Sequence, residues 1–220
     1  MDVTPWGFGG EAMTVEAYVR YDALEEDSRI IDFRDGEEDN SVVLSNAGTS
    51  GNAASWLVSK GGSTVGPVSE LPYFEAGKWV HVVVTVANTT MKLYKDGVLT
   101  DTTTEGQEPL SLTRAEHRIG GTFEGTIGYL RFWHGAALDA GQVAELHATL
   151  EQLFGLLPVH GEAERFDAVP IRDPQSVDCF RHVLPHVVLN SGQNFGCGPQ
   201  RRSPTESGSR FFVAYFQKLM

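Results

Sequence analysis

Trp79 to Val86 read WVHVVVTV. Val80, Val82, Val84 and Val86 fall on one side of a period of two, and Trp79, His81, Val83 and Thr85 fall on the other. That is the period of a pleated strand, and β-branched side chains suit a pleated surface. The run is therefore predicted to be a strand with one face in the core. Just beyond it, Met91 to Asp101 read MKLYKDGVLTD. Asp96-Gly97 supplies the two positive φ angles of a type I′ turn between apolar flanks, so this stretch is predicted to be a hairpin. Asp96 is read as a turn residue and not as a catalytic acid.

The same period recurs on both sides. In TVEAYVRY, Val15, Ala17, Val19 and Tyr21 share one face and Glu16, Tyr18 and Arg20 the other. RIIDF and SVVLS flank an acidic run, ASWLVS follows, and KGGSTVG is a glycine-rich break. In GTIGYLRFWHGAAL, Leu130 and Phe132 are expected inward, with Tyr129, Arg131 and Trp133 facing away. The period then changes. Asp139 and Gln142 have the spacing of a capping box, and Val143, Leu146, Leu150, Leu153 and Phe154 form an apolar stripe. Gly155 and Pro158 end that helix.

Many short strands, turn signals between them and no βαβ rhythm predict an all-β sandwich or barrel with one late helix. The 220 residues suit one domain with an appendage. Lys plus Arg number 17 against 29 Asp plus Glu, a formal net charge of −12. That sign opposes binding to nucleic-acid phosphates or anionic lipid, so neither nucleic acid nor membrane insertion is expected. No apolar run is long enough to span a bilayer. The charge is uneven, with 10 basic and 23 acidic residues up to Phe154 against 7 basic and 6 acidic beyond it. The domain is accordingly expected over 1–155, with 156–220 a low-order tail. The tail lacks a sustained period, although RFFVAYFQKLM at its end is apolar enough to dock on something. Cys179 and Cys197 both lie there, as a disulfide or as free thiols.

MTVEAYVRY, RIIDFRDG, WVHVVVTV, MKLYKDGVL and GTIGYLRFWHGAAL occur in that order. Together they resemble a laminin-G-like domain of the concanavalin A-like lectin/glucanase superfamily over about residues 5–150. The resemblance implies a jelly-roll sandwich of two curved antiparallel sheets. It also implies an extracellular or cell-surface role in binding glycan or protein, sometimes with calcium. The chain starts at DVTPW, where such domains have another edge strand and a longer lead-in. A fragment or an incomplete gene model is therefore the expectation, and the lack of a signal peptide in MDVTPWGFGG is not read as a cytoplasmic address.

The superfamily also holds glycoside hydrolases, whose retaining chemistry needs two carboxyls about 5 Å apart. The resemblance implies an E-x-D-x-x-E or E-x-D-x-E strand for them. Here Glu25 and Asp27 are followed by Ile30, and Glu37 and Asp39 by Ser41, Val42 and Val43. A non-enzyme is therefore expected. Cys179, His182, His186 and Cys197 have an irregular spacing for zinc, and an unstructured tail or a simple disulfide is preferred for them.

The acidic run DFRDGEEDN admits two readings. Asp32, Asp35, Asp39 and Asn40 could supply several of the oxygens that calcium requires, with Gly36 allowing a tight turn. The preferred reading is a solvated hairpin loop. The resemblance places the first strand beside the late one, so Glu16 and Arg131 are expected to pair across the sheet between Tyr18 and Trp133. Those four residues make the expected ligand-contact group, with an aromatic available to stack on a pyranose. His81 and His117 are read as sheet histidines, and Trp79 as packing. Asn88-Thr89-Thr90 is a glycosylation sequon in a predicted turn.

Overall fold

The computed structural model describes residues 2–3, 6–35, 37–69, 72–120, 122–155 and 210–215. In chain order the elements are β1 (Asp2–Val3), β2 (Trp6–Phe8), β3 (Met13–Tyr21), β4 (Arg29–Asp35), β5 (Glu37–Ala47), β6 (Ala53–Lys60) and β7 (Ser63–Val65). They continue with β8 (Trp79–Ala87), β9 (Thr90–Lys95), β10 (Val98–Thr103), β11 (Leu112–Arg114), β12 (Glu116–Ile119), β13 (Gly125–His134), α1 (Ala140–Gly155) and β14 (Arg210–Tyr215). They build two six-stranded antiparallel sheets, the jelly-roll sandwich that the family resemblance implies. One sheet runs β1-β12-β4-β5-β6-β7 and the other β10-β9-β8-β3-β13-β14, with β11 and β2 paired at the side.

The valine run explains the second sheet. β3 lies antiparallel to β8 with Val15 opposite Val84, Ala17 opposite Val82 and Val19 opposite Val80. All six are buried, and they meet Ile31, Phe33, Val42, Leu44, Trp56 and Val58 of the first sheet in one apolar core. Burying each such side chain is worth about 1.5–3 kcal/mol, so this register outcompetes a slip that would turn the valines outward.

Local chemistry sets the connections. Asp96 and Gly97 both have positive φ, 49° and 79°, as a type I′ turn requires. Asp96 is also tied to β8: its Oδ1 accepts from the His81 amide at 2.9 Å, and its own amide donates to the His81 carbonyl at 2.8 Å. The capping box forms at the start of α1. Gln142 donates its amide to Asp139 Oδ1 at 2.9 Å, and the Asp139 amide donates to Gln142 Oε1 at 3.0 Å. Val143 and Leu150 of the expected stripe are buried, and Leu146 is half-buried. The side chains of Leu153 and Phe154 lie outside the described part of the structure.

Two features were not anticipated, and a third corrects the expected low-order tail. β13 carries a bulge between Ile127 and Tyr129, so strict alternation breaks at Gly128 and Ile127 joins Leu130 and Phe132 in the core. Arg114 is wholly buried; its guanidinium donates to the carbonyls of Asn40 (2.9 Å), Phe8 (3.2 Å) and Leu110 (3.1 Å) and lies over the Phe8 ring. Burial pushes its pKa down to about 10, which leaves it charged at neutral pH. Finally, β14 pairs with β13 from Tyr129↔Tyr215 to His134↔Arg210. Six residues of the expected tail thus form an edge strand of the second sheet. Residues 156–209, with Cys179, His182, His186 and Cys197, lie outside the described residues.

Candidate functional site

The outer face of the second sheet, away from the core, carries the densest polar and aromatic grouping. β8, β3 and β13 are neighbours there, and register fixes which side chains meet. Glu16 lies opposite Arg131 and Val83, Tyr18 opposite Tyr129 and His81, and Arg20 opposite Trp79 and Thr126.

Glu16 is the hub, although it has no exposed surface. Its Oε1 accepts from the Tyr129 hydroxyl at 2.7 Å and lies 2.9 Å from His81 Nε2. A carboxylate only accepts, so Nε2 is the donor. Arg131 Nε stands 3.3 Å from Oε2, the cross-strand ion pair expected from the strand order. Burial and the adjacent Glu16 charge push the Tyr129 phenol well up, so it remains a proton donor. Beneath α1 the His81 ring stacks on His147 at 5.4 Å and 11°, and Val83, Tyr94 and Val143 close a small apolar cluster. Because Glu16 is sealed, any part it plays towards a ligand is through Arg131 and Tyr129, which it holds in place.

The aromatic residues stand in a row. Tyr18 is stacked between Trp79, at 4.6 Å and 14°, and Tyr129, at 6.1 Å and 24°. Arg20 lies over the Trp79 ring and Arg131 over the Tyr129 ring. Tyr18 has ring neighbours on both β8 and β13, so it is not the open platform that the sequence suggested. Trp133 is mostly buried, at 8% exposed, and the Arg131 guanidinium lies 5.9 Å above it. The exposed ring of the row is Trp79, at 38%. The valine pattern alone gave no sign of this, because a residue at the first position of a strand has neighbours that only the sheet supplies.

The acidic run sits on the other sheet. It is a hairpin in which Asp32 and Asp35 belong to β4 and Asp39 and Asn40 to β5. Asp32 is not a loop ligand: it is buried in mid-strand, 2.9 Å from Arg29 Nη1 and 2.6 Å from Arg34 Nε. Asn40 Oδ1 accepts from the Gly61 amide at 3.3 Å, and Asp35 is exposed. The side chain of Asp39 lies outside the described part of the structure. Among the described residues no three His, Cys, Asp or Glu side chains are grouped to hold a metal ion. Asn88 is exposed in the β8–β9 turn, with a φ of 53°. No helix among the described residues is long and apolar enough to cross a membrane.

The family model Laminin_G_3, described as the concanavalin A-like lectin/glucanases superfamily, matches residues 3–144. The fold is shared with domain 4 of AbnA, a GH43 extracellular arabinanase from Geobacillus stearothermophilus, solved in complex with arabinotriose. That match has a TM-score of 0.58 and 20% identity, and covers 66% of this chain and 71% of that one. A SAP-like pentraxin from Limulus polyphemus matches at a TM-score of 0.48 and 16% identity, over 66% of this chain and 73% of that one. No curated protein sequence matches.

Proposed function

We propose that this chain, which belongs to the Laminin_G_3 family of the concanavalin A-like lectin/glucanases superfamily, is a non-catalytic extracellular module that binds carbohydrate on the outer face of its second sheet. The observation that carries this reading is the aromatic row on that face, flanked by Arg20 and Arg131. Flat apolar rings beside fixed hydrogen-bond donors suit a sugar, which offers C–H faces and a rim of hydroxyls. Support for a non-catalytic role comes from Glu16. Its Oε1 is held by His81 and Tyr129, its Oε2 is buried 3.3 Å from Arg131 Nε without a hydrogen bond, and the other buried carboxylate among the described residues, Asp32, lies on the opposite sheet. That is not the facing pair glycoside hydrolysis requires. Asp32, held by two arginines, lends no support to calcium assistance.

A glycan array probed with the full chain, in calcium and in chelator, tests the proposal. Saturable binding to a glycan class is expected. An array on which nothing binds would leave a structural or protein-adhesive domain in its place, and binding lost in chelator would restore calcium. Release of reducing ends from β-glucans incubated with the chain would overturn the non-catalytic part.

A further inference from the structure

We infer that Asn88 is a site of N-linked glycosylation, the acceptor for an oligosaccharide carried on a lipid pyrophosphate. The inference rests on the extracellular part of the proposed function, since this chemistry belongs to the secretory route. It does not depend on which ligand the second sheet binds.

The sequence narrows the choice to one residue. The chain has six asparagines, and the residues two places after them are Val42, Gly48, Ala54, Thr90, Gly192 and Gly196. Asn88 is thus the sole asparagine with Ser or Thr at that place, and Thr89 rather than proline stands between.

A turn asparagine has another use, because asparagine tolerates a positive φ, and Asn88 has one of 53°. Backbone tolerance does not explain its side chain. The other described asparagines use theirs to hold the fold. Asn46 Oδ1 accepts from the Ser28 amide at 2.6 Å, and its Nδ2 donates to the carbonyls of Glu25 and Gly51 at 2.6 and 2.8 Å. Asn52 Oδ1 accepts from the Ser50 hydroxyl at 2.7 Å, and Asn40 Oδ1 from the Gly61 amide at 3.3 Å. The Asn88 carboxamide makes no hydrogen bond among the described residues, and the residue is exposed.

The turn is held through its backbone instead. The Asn88 amide donates to Glu108 Oε1 at 2.7 Å, and the Gly106 amide donates to the Thr89 carbonyl at 2.7 Å. Substitution at Nδ2 therefore breaks no contact that fixes the turn. In the transfer, C1 of the first sugar leaves the phosphate oxygen of its donor and bonds to Asn88 Nδ2. The nitrogen gives up one proton and the lipid pyrophosphate departs, so the step needs no oxidant or further reactant.

The site is also set apart from the aromatic row. β8 runs 9 residues from Trp79 to Ala87. At a rise of about 3.3 Å per residue, Asn88 lies about 30 Å along the sheet from Trp79. A glycan anchored at that end leaves the row uncovered.

The test expresses the full chain behind a cleavable secretion signal in eukaryotic cells. Lysate and medium are both analysed, so a variant retained in the cells is still scored. Removal of the signal, read from the N-terminal mass, shows that the chain has entered the secretory route. One added glycan is expected, as a band that collapses on peptide N-glycosidase digestion, with Asn88 converted to aspartate in the peptide masses. Asn88→Gly suits the positive φ, and Thr90→Val keeps a β-branched side chain at the start of β9. Both are expected to lose the band, and Thr90→Ser is expected to keep it. Digested and undigested parent are expected to give the same glycan-array pattern. A signal-cleaved parent with no digestible band overturns the site, as does a band that survives in Asn88→Gly. Array binding that appears only after digestion overturns the separation of glycan and row. Absence of array binding in both forms, with the band present, overturns the carbohydrate reading and leaves the Asn88 site standing.

Discussion

Glu16 on β3 and Asp32 on β4 are both buried acids on the side of their sheet away from the core, yet they are held by different kinds of partner. Asp32 is neutralised from its own strand, by Arg29 and Arg34. A bulge between Arg29 and Ile31 lets two residues three apart share a face. Glu16 draws its partners from the strands on either side, His81 on β8 and Tyr129 and Arg131 on β13. The first arrangement can form as soon as one hairpin exists. The second exists only once three strands, distant in sequence, are in register. The Glu16 network is therefore a check on the sheet as a whole, and it lies directly beneath the aromatic row.

The largest effect should come from the hub. Glu16→Ala leaves Arg131, His81 and Tyr129 facing a void under α1, and breaking such a buried network typically costs about 3–5 kcal/mol. Arg131→Ala should cost less, because its side chain is 32% exposed and the remaining carboxylate keeps two donors. Urea denaturation of both single variants and the double variant gives the coupling energy. A double variant as unstable as the sum of the singles would mean that the pair is not coupled and that the contrast with Asp32 is empty.

Arg114 extends the comparison to a buried cation whose hydrogen bonds, among the described residues, go to backbone carbonyls. It holds carbonyls of three separate segments, near Phe8, Asn40 and Leu110. Arg114→Met removes the charge but strands those carbonyls, and at about 1–3 kcal/mol for each unsatisfied group the loss should be about 2–4 kcal/mol after some hydration. Arg114→Lys should not rescue it, since one ammonium cannot reproduce a three-way planar fork. Equal stability of the lysine variant and the parent would show that charge, not geometry, is what the site requires.

Asp32→Ala should fall lower, at about 1–2 kcal/mol. Its two arginines have side chains 20% exposed and can hydrate, and Arg29 retains Asp27 at 2.6 Å. Calorimetry on Asp32→Ala beside Glu16→Ala would break the comparison if the two melting temperatures fell equally. Calcium added to the parent offers a second check. A rise in its melting temperature would return the acidic hairpin to consideration as a cation site.

The contrast between local and long-range partners also explains what the sequence disclosed. The strands of the valine core, the Asp96-Gly97 turn and the α1 cap are local patterns, and each forms where its pattern predicts. The Glu16–Arg131 pair was legible only because a family resemblance supplied the strand order. His81 as a third partner was not, since nothing in WVHVVVTV distinguishes a histidine facing a carboxylate from one facing water. Asp32 carried a local signal: in RIIDFRD, Arg34 lies two residues on and shares its face, as the ion pair between them shows. Trp79 and Arg114 depend on which neighbours the sheets bring up to them, and no spacing in one chain encodes that. Gly128 did carry a signal, since a glycine inside a strand pattern marks a bulge or a close approach, and here it marks both.

The smallest effect belongs to the most local device. Asp139 caps α1 through the Gln142 amide, and Gln142 returns the contact through its own side chain. Asp139→Ala removes one acceptor from the first turn and should cost about 1 kcal/mol. In a protein of this size that is about 2–4 °C in Tm. The helix should nevertheless stay on the sheet, because its attachment lies further along, where Val143 packs on Val83 and Tyr94 and His147 stacks on His81. Hydrogen exchange should therefore quicken at the first turn of α1 and stay unchanged at His81 and Val83 in β8. Exchange that quickens equally at both places would show that α1 and the Glu16 network open as one unit. The capping box would then be part of the long-range assembly, and the division between local and long-range partners would fail at its weakest link.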